Sequence, residues 1–206
     1  MDEQSVDQVD RKGRFGGILE NPYAALVIRD MLDFGRWQGL SKTIGPLHVE
    51  SVLDIGCGWG ENSRVNSQGY VGIDNSASRI RFATRRYTKS RFIHADALEF
   101  PFEAESFDLV MLIDTSHHLT EAQFVEVLHR MKMFSRRWIM VSDPVLYQQQ
   151  NGLSRFFYGL DRGAVFRTAT DMEAIFREKA GLAVEKVDFF TTIPGLYRHV
   201  VFLLRK

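Results

Sequence analysis

The sequence predicts an α/β protein built on a doubly wound sheet of seven strands, mostly parallel, with an antiparallel last strand and helices on both faces. Two features predict this class. From residue 51 onward, short apolar runs alternate with amphipathic stretches of helical period, which is typical of βαβ units and a parallel sheet. The segment Phe107–Ile113 is apolar almost throughout, as expected of a strand that is buried on both faces.

The individual elements follow from hydrophobic period and from the residues that break it. Asn21 and Pro22 begin a helix over roughly 22–38, as a cap and a first helical position. Gly45-Pro46 ends this region, and Pro194-Gly195 joins two final strands into a hairpin. The predicted strands are 51–55, 70–74, 91–96, 107–113, 138–142, 184–191 and 199–204, and the later helices are 75–87, 121–134 and 170–180.

The chain carries no formal net charge at neutral pH. The 26 lysine and arginine residues balance 26 aspartate and glutamate residues, which disfavours a nucleic acid or an anionic membrane as partner. Cys57 is the only cysteine, so no intrachain disulfide forms, and a reducing compartment fits. The acidic start is unlike a secretory signal, and no apolar run approaches the ~20 residues that span a bilayer. We therefore predict a soluble cytoplasmic protein, and its oligomeric state stays open.

The most informative stretch is a glycine-rich loop that follows the first predicted strand. Glycine occupies positions 56, 58 and 60, and Asp54 precedes them. Glycines permit a tight turn and let a ligand approach the backbone. The G-x-G-x-G spacing differs from the dinucleotide fingerprint G-x-G-x-x-G, and an acid at the strand end suits a cationic ammonium group.

Two more strands end in acids. Asp74 lies 18 residues after Gly56, close to the ~20 expected of an acid that accepts from ribose hydroxyls. Asp96 and Ala97 follow the third strand, where an acid with apolar neighbours can flank adenine. In the alternative interpretation, the loop is only a turn and the aspartates only cap helices.

The motifs SVLDIGCGWG, YVGIDNS, FIHADALEF and FDLVMLIDTSHHL resemble, in order and spacing, those of class I S-adenosylmethionine-dependent methyltransferases. The resemblance covers residues 51–143 and implies a Rossmann-like sheet with S-adenosylmethionine as cofactor. It places the loop glycines at the amino-acid end of the cofactor, Asp74 at the ribose, and Asp96 with Ala97 at the adenine. The implied cofactor contacts are Asp54, Gly56, Cys57, Gly58, Asp74, Asn75, Asp96, Ala97, Asp114 and Thr115.

The flanking segments resemble a narrower bacterial group of small-molecule methyltransferases, through RFGGILENP and LDRGAVFR. The N-P-P-Y and D-P-P-Y tetrads typical of base methylation are missing, which also disfavours nucleic acid. We expect residues 1–45 to form an arm and helix that cover the cofactor site. Residues 46–206 form the methyltransferase domain, in which the aromatic-rich insertion 143–168 is too long for an ordinary connection and is interpreted as a substrate lid.

Methyl transfer requires alignment of the acceptor with the cofactor, and an acceptor that carries a proton also needs a base. His117 and His118 follow the fourth strand and can take a proton near neutral pH, and we favour His117. Alternatively, they cap the next helix or pack under the cofactor. Tyr158, Arg162 and Arg167 are the predicted substrate contacts, with arginine gripping a carboxylate or phosphate unless it pairs with Asp161. We predict no metal site.

These observations predict methyl transfer to an oxygen, nitrogen or carbon atom of a small molecule. Three alternatives stay open at this point. The protein performs other chemistry on S-adenosylmethionine, is a non-catalytic module that binds the nucleoside, or is a nicotinamide-dependent oxidoreductase, which the loop spacing disfavours.

Overall fold

The computed structural model describes residues 36–160, 165–192 and 197–206. The predicted helix 22–38 and the arm before it lie mostly outside these ranges, as does Arg162. Helices are α1 (Arg36–Ile44), α2 (Ala77–Arg86), α3 (Glu121–Phe134), α4 (Gly152–Leu160) and α5 (Ala169–Ala174). Strands are β1 (Val52–Ile55), β2 (Tyr70–Asp74), β3 (Arg91–His94), β4 (Phe107–Ile113), β5 (Ser135–Pro144), β6 (Ala183–Thr191) and β7 (Arg198–Arg205).

The strands form one seven-stranded sheet in the order β3-β2-β1-β4-β5-β7-β6. Neighbours from β3 to β5 pair in parallel, and β7 pairs antiparallel with both β5 and β6. The predicted fold class is confirmed, including the antiparallel last strand. The strand order reverses beside β1, and in such sheets ligands bind at the carboxyl ends of the strands near this reversal.

Strand β4 divides the core between the two faces of the sheet, because successive side chains of a strand point to opposite faces. Val110 and Leu112 pack with Phe124 of α3 and with Phe176, which follows α5. Leu109 and Met111 belong to the second cluster on the other face, where α1 contributes Leu40. A continuously apolar strand thus serves two helical layers, as the sequence predicted.

Several element boundaries differ from the prediction. Helix α1 continues to Ile44, beyond the predicted end at residue 38. Strand β5 begins at Ser135, earlier than the predicted residue 138. Arg136 Nη1 lies 3.0 Å from Oδ1 of Asp108 on β4, and this contact lets a charged segment join the sheet. The insertion contains α4, and after α5 the chain continues as one π-helical turn, Ile175–Lys179.

Helix α3 matches the prediction at both ends, since Thr120 and Gln123 form a capping box at its start, which satisfies free backbone donors. Within the described residues, no helix combines the length and the apolar character that crossing a bilayer requires.

Candidate functional site

The predicted cofactor-binding residues lie at or just after the carboxyl ends of the parallel strands. Strands β1, β2 and β4 are neighbours, with Ile55 paired to both Ile73 and Leu112. The segments that follow these strands therefore lie side by side. Strands β3 and β5 bring their own ends to this edge through the pairs Asp74–His94 and Ile113–Ser142.

The glycine loop adopts a backbone that favours glycine at each alternate position. The φ angles are +71° at Gly56, +54° at Gly58 and +85° at Gly60, in the left-handed region that other residues enter at a cost. A Cβ added at Gly56 would lie 2.5 Å from Oγ1 of Thr115. The loop after β1 consequently depends on glycine both for its conformation and for its contact with the end of β4.

Asp54 supports this loop from below. Its carboxylate is fully buried, and Oδ2 accepts hydrogen bonds from Asn62 Nδ2 at 3.0 Å and from the Tyr70 hydroxyl. Burial, and next the charge of Asp54, raise the pKa of Tyr70 well above its usual value, so the phenol stays a donor. Asp54 thus anchors β1 to the start of β2, while a direct contact with a cofactor stays a prediction.

Asp74 at the end of β2 connects the loop to the neighbouring helix. Its Oδ2 accepts from the Gly58 N–H at 3.0 Å, and its Oδ1 accepts from the Ser76 N–H at 2.8 Å. Arg79 lies 3.8 Å from Oδ2. A carboxylate offers about four acceptor positions, so two backbone bonds leave capacity for the hydroxyls of a bound ribose.

The next residues along this edge are more accessible. Asn75 is exposed, and its carbonyl oxygen lies 2.9 Å from His94 Nε2. Asp96 is also exposed and accepts from the Leu98 N–H at 2.8 Å, while Ala97 packs against the core. An open carboxylate can accept a hydrogen bond from an adenine amine, and the apolar residue beside it can contact the adenine ring.

Cys57 is a buried loop residue whose backbone N–H donates to the carbonyl of Ile73. Burial raises the pKa of its thiol far above the ordinary value, and the charges of Asp54 and Asp74 add to the rise. A protonated, buried thiol is a poor nucleophile. These features disfavour a role for Cys57 as a nucleophile, and its contact with the cofactor stays a prediction.

Asp114 contacts an arginine and a histidine that the sequence did not reveal. It follows β4 with φ +49°. Its Oδ2 lies 2.9 Å from Arg36 Nη2, and its Oδ1 lies 3.2 Å from His199 Nε2. Beside it, the Thr115 hydroxyl donates to the Ile113 carbonyl at 2.9 Å. No local motif marked Arg36 or His199, because they come from α1 and β7.

His117 lies in a short 3₁₀ turn after β4 and is held by Asp143 at the end of β5. The distance from His117 Nδ1 to Asp143 Oδ1 is 2.6 Å, and both side chains are buried. Ser116 donates its hydroxyl to the other carboxylate oxygen. His118 is half-buried, with its ring centroid 4.2 Å from that of His117. The structure thus distinguishes the two predicted bases, since Asp143 contacts the ring of His117.

The insertion supports this turn. The Tyr158 hydroxyl donates to the Val145 carbonyl at 2.9 Å, and its buried ring lies 4.8 Å from Phe166. Arg167 is buried and donates to the carbonyl oxygens of Ser116 and Leu119, both at 2.9 Å. Burial lowers the pKa of Arg167, but a guanidinium stays charged. These contacts favour a role for Arg167 in holding the turn that contains Ser116, rather than the predicted contact with an anionic substrate.

The third predicted substrate contact, Arg162, and its alternative partner Asp161 lie outside the described residues. Within the part of the chain that is described, no group of three or more His, Cys, Asp and Glu side chains is arranged to hold a metal ion.

Comparison with known proteins yields a family match and structural neighbours. Residues 52–136 match a family model described as a methyltransferase domain. Tocopherol O-methyltransferase from Arabidopsis thaliana is 31% identical over 118 residues, which cover 52% of this chain and 34% of that protein. This chain therefore spans about a third of the length of that relative.

Two solved structures share the fold. A SAM-dependent methyltransferase from Leishmania major has a TM-score of 0.74 at 18% identity, with 98% of this chain and 87% of that chain covered. Magnesium protoporphyrin IX methyltransferase from Synechocystis, with bound SAH, has a TM-score of 0.66 at 18% identity, with 87% of each chain covered. At this identity the likeness concerns the fold alone.

Proposed function

We propose that this chain, whose residues 52–136 match the methyltransferase-domain model, binds S-adenosylmethionine and transfers its methyl group to a small molecule. One observation carries the proposal. Three alternate positions with left-handed φ follow β1. The neighbouring strand β2 ends in Asp74, which accepts from the Gly58 N–H of that loop, and Asp96 follows β3, the next strand of the sheet. This arrangement offers a backbone cradle and two acceptors in the order that an adenosyl ligand requires.

The residues at this edge fit the cofactor chemically. Asp74 keeps acceptor capacity for ribose hydroxyls, and Asp96 with Ala97 offers an acceptor and an apolar surface to adenine. The ion pair of Asp114 and Arg36 is next to Thr115, which lies against Gly56 of the loop, and in this proposal it binds the zwitterionic amino-acid end. S-adenosylmethionine supplies a methyl group that is already activated by a sulfonium. The protein must then align the acceptor, which contributes roughly 7–11 kcal/mol.

His117 is the group that this proposal assigns to proton transfer, since a positioned base contributes about 10²–10⁴-fold to a rate. The atom that accepts the methyl group is oxygen, nitrogen or carbon in this proposal. A cytoplasmic location stays a prediction from the single cysteine, Cys57.

Isothermal titration calorimetry with S-adenosylmethionine and its demethylated product tests the cofactor site. We expect Asp74→Ala to weaken binding by ~1.5–3 kcal/mol, the value of hydrogen bonds to a charged acceptor. Asp74→Asn, which keeps one carbonyl oxygen, should weaken it less. Asp188→Ala on β6, at the far edge of the sheet, is the matched control and should bind normally. Unchanged affinity in Asp74→Ala would contradict the assignment of the ribose site.

Incubation with methyl-labelled cofactor and a small-molecule extract separates methyl transfer from the alternatives. Transfer of the label to an extract component supports the proposal. Cleavage of the cofactor without a labelled acceptor would support other chemistry on the same cofactor. Tight binding with no turnover would instead support a nucleoside-binding module.

A further inference from the structure

We propose that the outer edge of the sheet formed by α2 and β3 binds the phosphate backbone of a nucleic acid. This basic edge consists of the six cationic residues that lie between positions 75 and 95, which are Arg79, Arg81, Arg85, Arg86, Lys89 and Arg91. No aspartate or glutamate occurs in the same stretch. The partner is additional to the small-molecule acceptor, and it is inferred from the placement of the charges rather than from their sum over the chain.

The fold brings these cations to one side of the molecule. β3 is the terminal strand of the sheet, next to β2, and α2 leads into β3 through the short connection 87–90. Arg81 and Arg85 are exposed and lie one helical turn apart on α2. Further exposed cations continue the basic edge from the end of α2 to the start of β3, namely Arg86, Lys89 and Arg91.

Most cations of the basic edge have no acidic partner. Arg79 lies 3.8 Å from Asp74. Across residues 36–160, 165–192 and 197–206, none of the other five cations takes part in an ion pair. Several exposed cations on other parts of the surface do pair with acids, such as Arg136 with Asp108, Lys179 with Glu121 and Lys186 with Asp188. The basic edge therefore keeps its positive charge.

Folding accounts for only part of this concentration of charge. Arg85 and Arg86 lie in the last turn of α2, where cations interact favourably with the helix dipole. The Arg86 guanidinium also lies over the Tyr87 ring, 5.4 Å from its centroid. Arg81 precedes Arg85 by four positions, however, and like charges at this spacing destabilise a helix. Lys89 lies beyond the last turn, where the dipole effect falls off. A surface that accumulates repelling cations is typical of a site for an anionic partner.

Exposed apolar side chains distinguish between the possible polyanions. In the described chain, the large apolar residues that are exposed lie outside the basic edge, and they are Met133, Leu146, Leu153, Phe156, Val187 and Phe189. Protein interfaces have an apolar and aromatic centre, and a helix that binds an anionic membrane surface buries apolar side chains in it. Nucleic-acid interfaces are more polar and much more positively charged. The basic edge therefore fits a nucleic acid better than an acidic protein or a membrane.

The residue types of the basic edge suit phosphate groups. Five of its six cations are arginines, and the planar guanidinium can donate two parallel hydrogen bonds to one phosphate. The exposed Thr88, between Arg86 and Lys89, adds a hydroxyl of the kind that also donates to phosphate oxygens. Contacts of this type hold a backbone without reading its base sequence. We therefore expect binding that depends on salt and little on sequence.

A second copy of this chain is a less suitable partner. The segment 96–129 contains acids and neither lysine nor arginine, so it is the part of another copy that would face the basic edge. Several of these acids already contact cations of their own chain, namely Glu105, Asp108, Asp114 and Glu121. Those ion pairs reduce the negative charge that the segment offers to another molecule.

Fluorescence anisotropy with a labelled DNA duplex of about 20 base pairs tests the basic edge through the salt dependence of binding. We expect the full chain to bind with a Kd of about 10⁻⁶–10⁻⁴ M at physiological salt. The slope of log K against log salt concentration is about −0.9 for each neutralised phosphate, or at most about −4.5 for the five exposed cations. The double variant Arg81→Gln/Arg85→Gln should make this slope shallower by about 1.8 and weaken binding more than about tenfold at 0.1 M salt.

The double variant Arg177→Gln/Lys186→Gln is the matched control. It removes the same charge from two exposed ion pairs, and Lys186 lies on β6, the opposite edge of the sheet. The control should keep the wild-type slope. Equal slopes in the two double variants, or no binding by the wild type at low salt, would overturn the inference. Thermal unfolding shows whether each variant folds, and Arg81→Gln alone replaces a double variant that does not.

Two competing polyanions test the choice of a nucleic acid. Polyglutamate of matched charge stands for an acidic protein, and phosphatidylserine vesicles stand for an anionic membrane. Both should bind more weakly than the duplex at the same salt concentration, and tighter binding of either would overturn the assignment to a nucleic-acid backbone. The titrations need no S-adenosylmethionine, so their outcome does not depend on the proposed function.

Discussion

Replacing Gly56 with alanine tests whether the glycine loop is fixed by backbone conformation and by contact with β4. The φ of +71° costs an alanine roughly 1–2 kcal/mol. The new Cβ would also lie 2.5 Å from Thr115 Oγ1 and 2.7 Å from its Cγ2, and such overpacking costs typically about 1–3 kcal/mol. We therefore expect Gly56→Ala to lower the free energy of unfolding by about 2–5 kcal/mol, since the two effects are independent.

A double-mutant cycle separates the two causes. Thr115→Ala removes both atoms of the closest contacts, so adding it to Gly56→Ala should recover about 1–3 kcal/mol. The cost of the positive φ should remain. Thr115→Ala alone should cost about 0.5–1.5 kcal/mol, through loss of the hydrogen bond to Ile113.

Urea unfolding followed by circular dichroism measures these free energies. Gly152→Ala at the start of α4 is the matched control, because an added Cβ there meets nothing within 4 Å. It should be neutral or stabilising by up to about 1 kcal/mol. A Gly56→Ala protein as stable as wild type, or a double variant with no recovery, would refute the reasoning.

Four further outcomes are expected. Arg36→Met should destabilise the fold by about 3–5 kcal/mol in thermal unfolding, because it leaves the Asp114 carboxylate without one ionic partner, and adding Asp114→Asn should recover part of this loss. Cys57 should react with a thiol reagent only on unfolding, since burial first and nearby acids second raise its pKa. Arg167→Met should destabilise the native state in a urea titration and change the chemical shifts of the turn that it contacts through two carbonyls. The contact with Lys186 lowers the pKa of the Asp188 carboxyl below 3.8. The contribution of Asp188 to the free energy of unfolding should therefore be present above pH 3.8 and be lost as pH falls through the lower pKa. Asp188→Asn should reduce that acid dependence.

Arg167 illustrates how burial decides between two uses of one residue. The sequence placed an arginine at the end of an aromatic insertion, where contact with an anionic ligand was the expectation. The fold instead directs its guanidinium at the carbonyl oxygens of Ser116 and Leu119. The guanidinium carbon lies over the Phe124 ring, 4.9 Å from its centroid. The residue then stabilises the turn that carries His117, and the role of residues 143–168 as a lid stays a prediction.

The sequence alone determined the features that depend on neighbours within a few residues. The apolar run of β4 and the amphipathic period of α3 predicted two elements at their observed bounds, because side-chain period is a local property. The alternate glycines and the spacing to Asp74 likewise predicted the cradle, since positive φ angles and strand-terminal acids are specified position by position.

Only the tertiary structure decided which distant groups meet. His117 and Asp143 are 26 residues apart, and the parallel register of β4 and β5 brings them together at one sheet edge. Arg36 and His199 reach Asp114 from opposite ends of the described chain. No local pattern encodes these contacts, because each depends on strand order and on the loss of water around charges, which only the packed sheet and its helices produce.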